Sequence, residues 1–201
     1  MRFMTLSLIS LLLLGSGCGG KKSKAWPDGA GAEAPQAGEA AQKKPAAEPE
    51  IAVHLGKDLP GGADRATAIA AIAGLGPTIE LADVNHPSND VEGTLARNIY
   101  QRHVVLGAKD VRHAGGVLEG LTGRVIRNDA EIAKVTDLQA LTGELIDIVR
   151  HTADLLAAFG EKLEAGQILI AGSIVPPLWI TPGEELVFRL ERIDNISIRF
   201  T

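Results

Sequence analysis

The chain has 201 residues and carries 25 acidic against 20 basic side chains, which gives a formal net charge of −5. That balance argues against a nucleic-acid-binding protein, which normally presents a basic surface. Aromatic residues make up only 3% of the chain, so side chains that could stack on bases are scarce. The length suits one domain of ordinary size once processing segments are set aside.

Residues 1–18 have the pattern of a signal peptide. The basic residue Arg2 precedes an apolar run from Leu6 to Leu14, which is too short for an ordinary transmembrane span. Small residues then lead to Cys18, the only cysteine, so the chain can form no internal disulfide. The segment resembles a bacterial lipoprotein signal, in which this cysteine is lipidated. A plain secretory signal with an incidental cysteine is the alternative.

Residues 19–46 are rich in glycine, alanine, lysine, proline and glutamate and predict a flexible tether. Such a composition cannot bury enough apolar surface to offset the entropy lost on ordering. We therefore expect a protein of the bacterial cell envelope, anchored in the membrane by lipid, with its folded domain over residues 47–201. The sequence leaves open whether the anchor lies on the periplasmic side or at the cell surface.

Hydrophobic periodicity and turn residues predict the elements of the folded part. Strands are predicted first over 48–55, 78–84 and 104–107, then as a pair over 118–127 that turns at Thr122-Gly123. Helices are predicted over 63–75, from Pro87 to about Tyr100, and over 138–163. Four short strands are predicted near the C-terminus, over 168–171, 178–181, 185–190 and 196–200. Strands at both ends with helices between them favour an α+β fold with a predominantly β core.

Two glutamates flank a proline in the first predicted strand. Glu48 and Glu50 are two positions apart, so their side chains lie on one face of the strand. A divalent cation would remove the repulsion between them, since hard cations such as Mg²⁺ prefer carboxylate oxygens. Glu80 lies between two apolar residues of the second predicted strand, where a charge is costly unless it is paired or coordinated. Ordinary charges on a solvated strand face are the alternative.

The C-terminal part of the chain carries the clearest family pattern. Its segments are Leu163-Glu164-Ala165-Gly166, a strand ending in Gly172-Ser173, a turn at Pro182-Gly183 and the closing run Ile196-Ser197-Ile198-Arg199-Phe200. Together with Glu48-Pro49-Glu50 and the strand around Glu80, they resemble the 2-keto-4-pentenoate hydratase and 2-oxo-acid decarboxylase group of the fumarylacetoacetate hydrolase superfamily. The resemblance runs from about residue 47 to residue 201.

The resemblance implies a mixed β-roll of the type of that superfamily's C-terminal domain, with a few packed helices. It also implies that Glu48, Glu50 and Glu80 bind Mg²⁺ or Mn²⁺, and that a small 2-oxo acid chelates the ion. In such a site the ion stabilises an enolate during hydration or decarboxylation, so a catalytic domain would be a lyase. The oligomeric state stays open, with a homo-oligomer among the options.

The positions expected to move protons depart from the group's pattern. Asp83-Val84-Asn85 stands where the group has an aspartate followed two positions later by arginine. The signal and tether occupy the region where family members carry a covering segment that donates acid and base groups. Whether the domain is an enzyme is therefore open, and the alternative is a catalytically inactive envelope lipoprotein that keeps the fold for ligand binding or protein interaction.

The catalytic residues are not identified from the sequence. His86, six positions beyond Glu80 in a predicted loop, and Asp83 are the candidates for proton transfer. Ser173 is the candidate for substrate binding, because it or the amide of Gly172 would meet a substrate carboxylate; a strand-ending turn is the alternative. None of the spacings among the five histidines makes a zinc site.

Overall fold

The computed structural model describes residues 45–84, 91–96 and 98–201. The strands are β1 (Pro45–Leu55), β2 (Ile72–Asp83), β3 (Gln101–Leu106), β4 (Gly123–Arg127), β5 (Ala130–Val135), β6 (Ile168–Ser173), β7 (Leu178–Trp179), β8 (Glu185–Leu190) and β9 (Asp194–Arg199). The helices are α1 (Arg65–Ala71), α2 (Val91–Ala96) and α3 (Leu145–Ala158), with 3₁₀ turns at Asn98–Tyr100 and Val111–Gly116. The predicted signal, Cys18, His86 and the tether as far as residue 44 lie outside the described residues.

Two sheets form the scaffold. The first has the strand order β3-β2-β1-β6, and β7 also pairs with the start of β1. The second has the order β5-β4-β8-β9. Neighbouring strands run antiparallel in both sheets. With its few helices packed against strands, the chain has the α+β architecture that the sequence predicts.

The two faces of β1 meet different surroundings because strand side chains alternate. The odd-numbered residues Ile51, Val53 and Leu55 belong to the hydrophobic core, together with Phe188 of β8 and Val149 of α3. The even-numbered residues, which include the two glutamates, therefore point away from that core. Because a slip of one residue would exchange the two faces, the core fixes the face on which the glutamates lie.

The predicted boundary between the first helix and the second strand is wrong. Helix α1 ends at Ala71, and β2 begins at Ile72, so Gly74, inside the predicted helix, and Gly76, just after it, both lie in the strand. A Cβ at Gly76 would lie 2.7 Å from the carbonyl oxygen of Ala108. These glycines therefore allow the segment that follows β3 to lie directly on β2.

The strand pair predicted over 118–127 is also wrong. Only β4 lies there, and it forms a hairpin with β5 through Asn128 and Asp129. These two residues have φ values of 48° and 66°, which asparagine and aspartate tolerate better than most side chains.

The helix predicted over 138–163 is shorter in the structure, where α3 covers only Leu145–Ala158. Gly143 and Gly160, with φ values of 86° and 77°, lie on either side of α3 in turns that a continuous helix would exclude.

Among the residues that the structure describes, no helix is both long and apolar enough to cross a membrane.

Strand β1 begins at Pro45, two residues before the predicted start of the domain at 47. Ala46 and Ala47 are buried and pair with Trp179 and Leu178 of β7. These residues extend β1 beyond Glu48, so the glutamates lie within a paired strand and not at its frayed end.

Candidate metal centre

Strand register brings the three glutamates together. In the β1–β2 ladder, Glu48 lies directly opposite Glu80, and Glu50 lies opposite Thr78. Glu50 shares the face of Glu48 and is the diagonal neighbour of Glu80, a separation that long side chains bridge. One carboxylate oxygen from each glutamate lies within 4.8 Å of the others. The structure thus assembles the cluster that the sequence predicts from two separate strands.

The carboxylates of this cluster are largely withdrawn from water. Glu50 and Glu80 are only 2% and 1% exposed, and Glu48 is partly exposed. Burial raises the pKa of Glu50 well above its ordinary value, and the negative charges of Glu80 and Glu48 raise it further. Burial also raises the pKa of Glu48. Ionised carboxylates in this position are costly without a compensating positive charge.

The chemistry of the donor set fits a hard divalent cation. Carboxylate oxygens are the protein ligands that Mg²⁺ and Mn²⁺ prefer. In residues 45–84, 91–96 and 98–201, neither a histidine nor a cysteine joins Glu48, Glu50 and Glu80, so the group lacks the nitrogen and sulfur donors of zinc sites. A divalent ion would also offset the repulsion among the carboxylates. The residues present therefore fit the metal that the resemblance implies.

Strand β6 borders the cluster on the other edge of β1. The register changes after the pair Glu50–Ser173, so Ala171 and Gly172 together stand opposite Ile51. This is a β-bulge, which inserts one extra residue into a strand and re-aims its backbone. At the bulge the backbone N–H of Gly172 donates a hydrogen bond of 2.7 Å to Oε2 of Glu50. Its φ of 97° lies in the region that favours glycine.

Two hydroxyl groups near Glu50 are directed at backbone carbonyls. Ser173 Oγ donates to the carbonyl of Val175 at 2.6 Å and lies 3.4 Å from that of Pro49. The buried Thr78 donates to the carbonyl of Val105 at 3.1 Å. The substrate-binding role of Ser173 stays a prediction, and a ligand would have to compete with these bonds.

Asp83 lies at the end of β2, and the cluster does not include it. It is three positions beyond Glu80, so strand alternation directs it to the opposite face. Its carboxylate forms an ion pair of 3.7 Å with Arg102. The proton-transfer roles of Asp83 and His86 stay predictions, and His86 lies outside the described residues.

His54 is on the face of Glu50 but at the far end of β1, paired with Gly74. Its Nε2 is buried and has no hydrogen-bond partner within the described parts of the chain. Burial, and then the charge of Lys109, lowers the pKa of this imidazole. Between His54 and the cluster, the carbonyl of Ala108 lies over Gly76, so the segment after β3 covers this part of the face. Glu48, which is nearer the start of β1, is the partly exposed member of the cluster.

The hydrogen bond from Gly172 to Glu50 is the contact that sequence reasoning missed. From the sequence, Gly172-Ser173 was expected to meet a substrate carboxylate. In the structure the backbone N–H of Gly172 instead donates a hydrogen bond to the carboxylate of Glu50. The glycine at the end of the strand predicted over 168–171 was the available signal, because a glycine in a strand often marks a bulge. The sequence could not show which side chain the bulged amide would meet.

Structural comparison finds the same fold in solved enzymes and in a protein of the fumarylacetoacetate hydrolase family. A protein of that family from Yersinia pestis CO92 aligns with a TM-score of 0.60 and 16% identity, over 79% of this chain and 74% of that one, which shows the fold. The 4-oxalocrotonate decarboxylase of Pseudomonas putida G7, solved with magnesium and adipate, aligns with a TM-score of 0.69 and 26% identity, over 79% and 61%. A second structure of that decarboxylase holds calcium and acetate. The β-roll expected from the sequence is confirmed.

In sequence, the chain is similar to hydratases and decarboxylases. The 2-hydroxyhexa-2,4-dienoate hydratase of Comamonas testosteroni is 29% identical over 161 residues, which are 79% of this chain and 61% of that enzyme. The 4-oxalocrotonate decarboxylase of Pseudomonas putida is 28% identical over 78% of this chain and 60% of its own length. The chain thus spans about 60% of the length of these curated relatives. No protein-family model matches the chain. Its similarity to these hydratases and decarboxylases confirms the resemblance expected from the sequence.

Proposed function

We propose that this chain is a divalent-metal-dependent domain of the hydratase and lyase type that binds a small 2-oxo acid or its enol. The buried cluster of Glu48, Glu50 and Glu80 carries this proposal. Its two deepest carboxylates are costly as anions in the absence of a cation, and the donor set suits Mg²⁺ or Mn²⁺. A relative of the same fold has been solved once with magnesium and once with calcium, which supports a divalent ion.

Each part of the site has a separate task in this proposal. Glu48, Glu50 and Glu80 hold the ion, and the Gly172 amide holds Glu50. When bound, a divalent ion supplies Lewis-acid stabilisation of negative charge on the oxygens of a 2-oxo acid. The segment after β3 lies against Gly76, on the side of the cluster where His54 lies. Glu48 is the partly exposed carboxylate, so we assign it to the side from which a ligand reaches the ion.

The names of the relatives support a small organic acid as the ligand. The relatives include a dienoate hydratase and an oxalocrotonate decarboxylase, and the structures of a decarboxylase hold adipate and acetate. A 2-oxo acid presents a carboxylate and a keto oxygen together, which matches an ion with open positions for oxygen ligands. The precise acid is left to experiment.

Metal binding by the purified full-length chain tests the proposal directly. Calorimetric titration with Mn²⁺ is expected to give one site in the wild type and none in Glu50→Gln or Glu80→Gln. Glu119→Gln is the matched control, because it removes an exposed carboxylate outside the cluster. Identical titrations for the wild type and both cluster variants would overturn the metal site.

A second candidate function is a non-catalytic binding protein of the cell envelope. The observation that favours it is that polar groups near the cluster already have partners. Asp83, a candidate for proton transfer, pairs with Arg102, and the hydroxyls of Ser173 and Thr78 donate to backbone carbonyls. Assay of 2-hydroxypenta-2,4-dienoate with the Mn²⁺-loaded full-length chain separates the two functions. Turnover that is lost in Glu80→Gln supports the lyase, whereas metal binding without turnover supports the binding protein.

We further propose that Cys18 carries a lipid and that residues 19–44 tether the domain to the envelope. The support is the apolar run from Leu6 to Leu14 followed by small residues and this single cysteine. Metabolic labelling with a fatty acid should mark the wild type and not Cys18→Ala. Equal labelling of both, or recovery of the wild type in the soluble fraction, would contradict the anchor.

A further inference from the structure

The β-bulge in β6 lies beside the most deeply enclosed carboxylates of the chain. In a regular antiparallel ladder, a backbone N–H that points at the neighbouring strand donates a hydrogen bond to a backbone carbonyl of that strand. Here the extra residue turns the N–H of Gly172 to the side chain of Glu50, at 2.7 Å from Oε2. The bond is between buried groups and joins residues 122 positions apart in the sequence. It is therefore a property of the tertiary fold.

The chain immediately after the bulge is fixed to β1 as well. The backbone N–H of Ile174 donates to the carbonyl of Pro49 at 2.9 Å, and Ser173 Oγ lies 3.4 Å from that oxygen. Pro49 stands between the two glutamates of β1, so this contact is made at the cluster itself. The bulge is held on the C-terminal side by these contacts and on the N-terminal side by the pairing of Ile170 with Ala52. Its amide consequently has one fixed direction.

We infer that Gly172 is a positioning residue, whose backbone amide orients the Glu50 carboxylate for the divalent ion. The inference rests on the proposed function, since it assigns a task within that metal site. A carboxylate that is hydrogen-bonded through one oxygen cannot turn freely about its terminal torsion, and it keeps its other lone pairs for a second partner. The N–H dipole also faces the negative charge, which makes the bond stronger than one between neutral groups.

Only glycine suits the position of this amide. The φ of 97° at Gly172 is strained for any residue with a Cβ, so an alanine there would relax the backbone and turn the N–H away from Glu50. Gly172→Ala therefore tests the orientation of the amide without changing a ligand side chain. Loss of a group that orients a metal ligand typically weakens metal affinity by about 10–100-fold.

The experiment compares Mn²⁺ affinity, by calorimetry on the full-length chain, with thermal stability in the same variants. Gly183→Ala is the matched control, because Gly183 has a φ of 91° and open space around its Cβ position. We expect both variants to lose stability through backbone strain, but only Gly172→Ala to lose Mn²⁺ affinity by about 10-fold or more. Replacement of the amide of residue 172 by an ester through semisynthesis removes the N–H alone, and decides the matter if Gly172→Ala does not fold.

The outcomes separate this inference from the proposed function. If the wild type does not bind Mn²⁺, the proposed function fails and the positioning role falls with it. If the wild type binds and the Gly172→Ala or ester protein binds equally well, only the positioning role is overturned. Equal losses of affinity in Gly172→Ala and Gly183→Ala would overturn it too, because backbone strain would then be the cause.

Discussion

Glu48 and Glu80 stand directly opposite each other in the antiparallel ladder of β1 and β2. Like charges in that relationship destabilise a sheet, and here Glu50 adds a third carboxylate from the diagonal position. The surrounding core fixes the faces of both strands, so the chain cannot relieve the repulsion by turning one glutamate away. The arrangement is therefore expected to cost stability in a metal-free protein and to be relieved by a cation.

The first prediction concerns the effect of the ion on stability. Mn²⁺ at 100 times its dissociation constant should stabilise the folded chain by about 2.7 kcal/mol, if it binds only the native state. For a domain of this size that corresponds to a rise in Tm of roughly 5–10 °C. Thermal unfolding with Mn²⁺ and with EDTA measures it. The same Tm in both buffers for the wild type would contradict a metal site, and Glu80→Gln should show no such difference.

The second prediction is that replacing one of the proposed metal ligands, Glu50, makes the metal-free protein more stable. Glu50→Gln removes the charge of a carboxylate that is 2% exposed, while its amide oxygen can still accept the bond from Gly172. In EDTA this variant should be more stable than the wild type by about 1–2 kcal/mol, as is common when a costly functional group is removed. Urea unfolding measures the difference. A variant less stable than the wild type would show that the charge of Glu50 is compensated within the protein.

The third prediction is the pH dependence of that difference. The folded-state pKa of Glu50 is raised above its ordinary value of 4.5, first by burial and then by the charge of Glu80. A raised pKa means that the folded chain binds the proton more tightly than the unfolded chain, so stability is lost as pH rises through the folded-state pKa. In EDTA, Glu50→Gln and the wild type should be equally stable below about pH 4, where this carboxyl is protonated in both states.

Unfolding in urea across the range from about pH 4 to pH 8 tests this sign, because only the wild type carries the titrating group at position 50. The advantage of Glu50→Gln should grow as the pH rises and should disappear when Mn²⁺ is added. A difference that stays constant with pH would exclude ionisation of Glu50 as its cause. The control Glu119→Gln should follow the wild type throughout.

The elements that the sequence predicted correctly are those in which local pattern and tertiary packing agree. The apolar residues of β1 and β8 alternate with polar ones or form a short run, and turn residues lie at the ends of both strands. Both strands were predicted to within three residues of their observed ends. The β4–β5 hairpin was missed because its turn at Asn128 and Asp129 lacks glycine, and a positive φ there is set by the strands it joins. Local pattern therefore located the strands better than the turns.

The glutamate cluster was predictable because two independent local signals could be combined. The spacing of Glu48 and Glu50 placed them on one face, and the apolar neighbours of Glu80 marked it as costly. Their contact depends on the register of two strands separated by α1, which no local pattern specifies. The bond from Gly172 depends on a bulge in a third strand, so it could be found only in three dimensions.

The last prediction concerns Gly76, the glycine on which the covering segment rests. In Gly76→Ala the new Cβ would lie 2.7 Å from the backbone oxygen of Ala108, an atom that cannot move without displacing the segment. We expect a loss of stability of about 1–3 kcal/mol, as is usual for an overpacked site. Gly123→Ala is the comparison, since its methyl would meet first the flexible end of Ile174, at 2.5 Å, and then that of Leu138, at 3.2 Å.

Urea unfolding of the two variants should therefore give a smaller loss for Gly123→Ala than for Gly76→Ala. The two losses should differ because the new methyl group meets a different kind of atom in each variant. The side chain that it meets at position 123 can change rotamer, whereas the carbonyl oxygen that it meets at position 76 moves only with its backbone. Equal losses would show that the segment after β3 yields as easily as a side chain.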